Sequence, residues 1–212
     1  MDHQQPMKPL PALERYARTI ELKKSGLNLF AYQTGPGDAP GLILVHGLGD
    51  DADTWRHIFL PLAEFYLVTA FDLPGFGRSD KPSRPYSMDF FQQVFLELVD
   101  VLGFPRLSLV GHSLGGMITH LFSLEQPEIV KHLVLVSGSL LVKQQKMNLT
   151  SLLMLIPGLG EWFYNRLRND PQAAFDTLYP YYATLAAMPA EEKAFLFDRV
   201  NQRVWDDAQR RA

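Results

Sequence analysis

The stretch Leu107-Ser108-Leu109-Val110-Gly111-His112-Ser113-Leu114-Gly115-Gly116 decides how this chain reads. Leu107 to Val110 is a short apolar run, predicted to be a buried strand. Ser113 to Glu125 is predicted as a helix, stopped before Pro127. Between them, Gly111-His112-Ser113-Leu114-Gly115 fits G-x-S-x-G, a serine carried on a sharp strand-to-helix turn. The glycines have a steric purpose, because a Cβ beside the serine would collide with the adjoining chain. Such a turn lifts the serine oxygen above the strand. The helix N-terminus beneath it favours developing negative charge. Ser113 is therefore the candidate nucleophile, with Gly111, His112 and Gly115 supporting its turn.

Working outward, the pattern alternates. Tyr16 to Leu22 and Leu27 to Tyr32 are predicted strands joined at Ser25-Gly26. Leu42 to Val45 and Leu67 to Phe71 are continuous apolar runs, as expected of strands covered on both faces. Asp53 is expected to cap a helix carrying Trp55, Ile58, Phe59 and Leu62 on one face. Met88 to Leu102 places Phe91, Val94, Phe95, Leu98 and Leu102 at helical spacing. Leu133 to Val136 is the last predicted strand, with His132 opening it. Strands alternating with helices imply an α/β fold, a mostly parallel, doubly wound sheet of about six strands. Beyond Gly138 the strands disappear, and Lys143 to Ala212 reads as helices broken at Pro157-Gly158, Pro171, Pro180 and Pro189. The division expected is a core at 1–138 and a helical cap at 139–212.

Two further motifs sit at predicted strand ends. His46-Gly47-Leu48-Gly49 follows Val45, and its backbone offers a second N–H for an oxyanion hole. Leu48 and Leu114 amides are the candidate pair, and one such donor is worth about 2.7–4 kcal/mol in a comparable site. His46 is read as tying down this loop, with Gly47, and not as a proton carrier. Asp72-Leu73-Pro74-Gly75-Phe76-Gly77-Arg78-Ser79-Asp80 reads as a rigid loop beside the site.

With these three motifs in order, the chain resembles the α/β-hydrolase fold superfamily, over about residues 13–138. It is similar to the cap-bearing serine esterase, C–C hydrolase and haloperoxidase-like branch. The resemblance implies a nucleophilic serine, two backbone amides as oxyanion hole and a helical cap shaping the pocket. Epoxide hydrolases and haloalkane dehalogenases of the same superfamily use an aspartate nucleophile, and Ser113 argues against both. The resemblance also implies the triad order serine, acid, histidine.

Here the expected acid and base do not appear. His120 lies seven residues along the serine's own helix, about 10 Å away at 1.5 Å per residue. His132 sits at the amino end of a parallel strand, whereas ligands bind at carboxyl ends. His57 belongs to the helix after the oxyanion loop, and His3 to the N-terminal tail. Ser137-Gly138-Ser139 offers no carboxylate after the sixth strand. Asp206 and Asp207 fall in a last helix whose polar pattern suggests a solvated face. The expectation is a C-terminally truncated hydrolase, with an incomplete cap and the acid and histidine missing.

Composition narrows the alternatives. The 212 residues are 47% hydrophobic and 20% charged, with net charge −3 and no cysteine. A nucleic-acid partner, a disulfide framework, thiolate metal sites and a cysteine nucleophile are excluded as main readings. The N-terminus lacks the apolar region of a signal peptide. Leu149 to Leu159 is too short to span a bilayer. A cytoplasmic protein without membrane contact is expected, and Asn148-Leu149-Thr150 is a sequon without a secretory context. Asp50, Asp51 and Asp53 lack calcium-loop spacing and are expected to solvate and cap a helix, so no metal or organic cofactor is implied. Trp162, Phe163, Tyr164, Phe175, Tyr179, Tyr181 and Tyr182 suggest an apolar or aromatic acyl substrate. The reading is an ester, acyl or C–C serine hydrolase. The alternative is a non-catalytic small-ligand-binding protein, or an inactive fragment, on the same scaffold.

Overall fold

The computed structural model describes residues 7–137, 159–182 and 184–205. Among these described residues six strands form: β1 (Ala17–Leu22), β2 (Leu27–Thr34), β3 (Gly41–Val45), β4 (Leu67–Phe71), β5 (Leu107–His112) and β6 (Val130–Val136). They make one sheet in the order β1-β2-β4-β3-β5-β6. The pairs β1–β2 and β2–β4 are antiparallel, and the remaining neighbours are parallel. Parallel neighbours need crossovers, and α1 (Arg56–Leu62), α2 (Met88–Leu102) and α3 (Leu114–Glu125) lie in them.

The apolar runs are continuous because both faces of the sheet are covered. Ile43 and Val45 point into a core completed by Phe91, Val94, Phe95 and Leu98 of α2 and by Ile118 and Phe122 of α3. Leu42 and Leu44, on alternate positions of the same strand, point into a second core with Trp55, Phe59 and Tyr32. Each fully buried side chain of this size contributes about 1.5–3 kcal/mol. The α2 helix starts where the Ser87 hydroxyl accepts from the Phe90 N–H, and ends at left-handed Gly103.

Several boundaries differ from expectation. β5 runs two residues further, to His112, and Ser113 stands outside α3 as its N-cap residue. β6 starts at Val130, so His132 lies within the strand and is exposed. Asp51, not Asp53, caps the short 3-10 turn Ala52–Trp55, accepting from the Asp53 N–H. Ile58 is 41% exposed and falls off the buried face of α1. Among the described residues, β6 lies at a sheet edge.

The later helices are α4 (Leu159–Arg168), α5 (Pro171–Asp176) and α6 (Ala190–Arg203). Pro171 opens α5 instead of breaking a helix, because a first-turn N–H has no intrahelical acceptor anyway. Leu167, Ala174, Val200 and Val204 form a small core, with Phe163, Phe175 and Trp205 packed against it. Trp162 and Tyr179 are exposed. Among the described residues, no helix is long and apolar enough to cross a membrane. Residues 138–158, with the sequon and most of the Leu149–Leu159 run, lie outside the described residues, as do Asp206 and Asp207.

Candidate active site

Parallel register brings three strand ends to one edge of the sheet. Val45 lies opposite Phe71 on one side and Gly111 on the other. His46, Asp72 and Ser113 therefore emerge together, at the carboxyl ends where open α/β sheets bind ligands.

Ser113 has φ 48° and ψ −112°, a conformation that a side-chain-bearing residue rarely adopts. Its neighbours hold it there. The Ser113 N–H donates to the Val136 carbonyl at 2.9 Å, and its own carbonyl accepts from the Met117 N–H at 3.1 Å. The hydroxyl makes no capping bond to α3, so it is left for other chemistry. Gly115 is the steric key. A Cβ there would stand 2.2 Å from the Val45 carbonyl oxygen and 2.5 Å from that of His46. The helix can thus start directly against the end of β3.

Gly47 makes the other close approach. A Cβ there would lie 3.2 Å from the Ser113 Cβ and 2.8 Å from His112 Nδ1. The loop carrying Leu48 thereby lies beside the serine, with Leu48 exposed. Leu114 opens α3, and Gly111 closes against Thr119 and the Gly115 carbonyl.

His46 is fully buried. Its Nε2 accepts from the Leu73 N–H at 2.8 Å, and its Nδ1 lies 2.8 Å from the Gly47 carbonyl oxygen. An N–H at Leu73 requires an unprotonated Nε2, so Nδ1 carries the proton and donates to Gly47. Both ring nitrogens are spent on the loop. His57 is exposed and reaches Glu192 at 3.3 Å. His120 is half-buried on α3.

Asp72 is equally committed. It accepts from the Ala52 N–H at 2.7 Å and from the Arg78 backbone N–H at 2.8 Å. The Arg78 guanidinium adds a fork, Nε to Oδ2 at 2.8 Å and Nη2 to Oδ1 at 2.9 Å. Arg78 also bonds Tyr32 and Asp53, and stacks over Phe30 at 3.8 Å.

This network corrects the expectation that Asp51 and Asp53 are solvated. Both are fully buried. Arg203 donates from Nε to Asp51 at 2.8 Å and pairs with Asp50 at 2.6 Å, while Arg199 pairs with Asp53 at 2.6 Å. Burial works to raise the Asp51 carboxyl, but Arg203 and Arg78 outweigh it and hold it below the ordinary carboxylate range. The Asp53 carboxyl is raised, by burial first and by its neighbour Asp51 second. Burial likewise keeps the Tyr32 phenol neutral far above its usual range. The polar face of the last helix is therefore an ionic seam and not a solvated surface. Its signal was present as Glu192, Phe195, Arg199 and Arg203 at i, i+3, i+7 and i+11. Glu192 pairs with Arg56, whose guanidinium stacks on Phe195.

The geometry is that of a serine on a strained strand-to-helix turn at the carboxyl end of a largely parallel sheet. A family model described as alpha/beta hydrolase fold matches residues 40–203, and the chain belongs to that family. An uncharacterized protein of Mycobacterium tuberculosis is 40% identical over 102 residues, 48% of this chain and 30% of the relative. Epoxide hydrolase 3 of Xenopus tropicalis is 33% identical over 121 residues, 56% of this chain and 33% of the relative. The crystal structure of a membrane phospholipase A, a bacterial virulence factor, matches with TM-score 0.69 at 28% identity, covering 92% of this chain and 60% of that one. The chain thus spans 30–33% of the length of these two curated relatives.

Proposed function

We propose that the protein is a serine hydrolase acting on an ester or a related acyl or C–C substrate. The observation that carries this reading is Ser113 at φ 48°, uncapped, with the backbone of Gly47 drawn against it. Ser113 Oγ attacks the substrate carbonyl carbon and gives its proton to a base. The Leu48 and Leu114 amides hold the resulting oxyanion, the leaving group departs with a proton, and water then cleaves the acyl-serine. The chemistry needs side chains and backbone amides alone. His46 is a loop anchor in this reading, because both its nitrogens are occupied. In this reading no residue of the 212 is assigned as the base or as its carboxylate partner.

Residues 139–212 are proposed to act as a cap over the serine. Exposed Trp162 and Tyr179 support an apolar or aromatic acyl group as the part of the substrate it covers.

The test is turnover of a p-nitrophenyl ester by the whole protein beside its Ser113→Ala variant. The variant is expected to lose at least about a thousandfold. Equal turnover would exclude the nucleophile and favour a non-catalytic ligand-binding role. Residues 1–212 alone are expected to stay near background. Robust, Ser113-dependent turnover by that piece would place a base within it.

A further inference from the structure

We propose that Arg203 is a positioning residue that couples the docked helix α6 to the loop carrying the oxyanion donor. The inference rests on the reading of Ser113 and Leu48 given above. Leu48 is followed after one residue by Asp50 and Asp51, and Arg203 grips both. Its Nη2 lies 2.6 Å from Asp50 Oδ1, and its Nε donates to Asp51 Oδ2 at 2.8 Å. Two adjacent carboxylates held by one planar guanidinium fix the direction in which the chain leaves Gly49, which itself has φ 71°.

The grip belongs to a longer seam. Along one face of α6, Glu192 pairs with Arg56, Phe195 lies under the Arg56 guanidinium, and Arg199 pairs with Asp53. The ion-pair partners of this face fall between residues 50 and 57, directly after the His46–Gly49 loop. The loop is anchored from below as well, through His46 to Leu73 and through Ala52 to Asp72. Those lower anchors come from the segments that follow β3 and β4, not from α6. Arg203 is different, because it arrives at the end of α6, ninety residues later in the chain than Ser113. When α6 is seated, Asp50 and Asp51 are neutralised and Leu48 is held beside the serine. When α6 lifts, Asp50 and Asp51 lose the Arg203 guanidinium two and three residues from the donor, and Asp51 is left with Arg78 at 3.8 Å. Oxyanion stabilisation thus depends on the docking of the helical segment, and Arg203 touches neither substrate nor reacting atoms.

The experiment uses the whole protein with Arg203→Met, Arg203→Lys and Asp51→Asn, singly and as Asp51→Asn/Arg203→Met, each checked for a cooperative melt. Two quantities are read: steady-state kinetics on a p-nitrophenyl ester, and deuterium uptake by the peptide spanning residues 46–52. Arg203→Met is expected to lower kcat at least about tenfold with KM nearly unchanged, a fraction of the loss seen when a donor is deleted outright. Uptake by the 46–52 peptide is expected to quicken about fivefold or more. Arg203→Lys, which keeps the charge and loses the fork, is expected to fall between, and it carries the test where Arg203→Met does not fold. In the Asp51→Asn background the Arg203→Met change is expected to cost less than in the wild type. If Ser113→Ala turns over like the wild type, the nucleophile reading falls and the positioning role falls with it. If Ser113→Ala is inactive while the Arg203 variants keep the wild-type kcat or the wild-type uptake, positioning is overturned and the nucleophile reading stands. A raised KM at constant kcat would also overturn it, since Arg203 would then only help to hold substrate.

Discussion

Gly111, Ser113 and Gly115 lie within five residues of one another, whereas Arg78 meets Tyr32, Asp53 and Asp72, and the same carboxylate network continues to Arg199 and Arg203. The first region is specified by missing atoms. Its backbone conformation follows from where a Cβ would collide, and the collisions are with the Val45 and His46 carbonyls or with the next turn of its own helix. The second region is specified by pairing. Three carboxylates, of Asp51, Asp53 and Asp72, and three guanidinium groups are removed from water together, and each is tolerable only because the others are present. Steric constraint is short-range and leaves a contiguous motif. Charge pairing is indifferent to sequence distance and leaves none.

The sharpest way to break the contrast is Arg78→Met. Arg78 serves Asp72, Asp53 and Tyr32 at once, and its guanidinium is held charged by the carboxylates against the burial that opposes it. Removing it strands buried carboxylates, for which about 3–5 kcal/mol of stability is expected to be lost. Denaturant titration measures it. A loss below about 1 kcal/mol, the range of exposed pairs, would mean the network is wet and carries little.

Gly115→Ala comes next. Its methyl would press into two backbone oxygens that cannot rotate away. Overpacking of this kind costs about 1–3 kcal/mol or more, and the elbow is expected to shift with it. Thermal unfolding reads the first effect. A variant with an unchanged melt would mean that α3 can start elsewhere and that the close approach to β3 is not a constraint.

These two positions also show what was legible in the sequence. The apolar runs that make the strands and the turn at Ser113 were readable because each depends on residues adjacent in the chain. Leu67–Phe71 and Met88–Leu102 match the predicted bounds, since periodicity and caps are local. The surroundings of Asp51 and Asp53 were not readable. Three acidic residues in four positions look solvated until the arginines that meet them are placed, and Arg199 and Arg203 are placed by the packing of α6. The last helix misled for the same reason, because a stripe of charge facing water and one facing opposite charge have the same spelling.

His46→Leu tests a smaller term on the steric side of the contrast. The Leu73 N–H would lose its acceptor and the Gly47 carbonyl its donor, at about 1–3 kcal/mol. The expected signature is a lower melting temperature with Ser113-dependent turnover retained in the folded protein. Complete loss of turnover with an unchanged melt would instead make His46 a proton carrier.

The smallest expected effect is an acid slope, and its sign follows from the seam itself. Asp51 is buried, which favours its neutral form, yet Arg203 and Arg78 hold its carboxyl below the ordinary range. A depressed folded-state value means that Asp51 contributes stability above its unfolded value, near about 3.9. That contribution is lost as pH falls toward the folded value. Asp53 acts in the opposite sense. Its raised carboxyl contributes stability at low pH that is lost as pH rises through its folded value, so the two partly cancel. Replacing Asp51 by Asn removes the first contribution and weakens the second, because the Asp51 charge helps to raise Asp53. The variant is expected to be less stable than the wild type at pH 5, because Arg203 loses a partner. It should also have the flatter profile between pH 5 and pH 3, by up to about 1.4 kcal/mol per pH unit, the linkage of one proton. Denaturation midpoints at pH 5, 4 and 3 give the two slopes. Equal slopes would mean that Asp51 titrates alike in the folded and unfolded chains, and that the arginines of α6 do not reach it in solution.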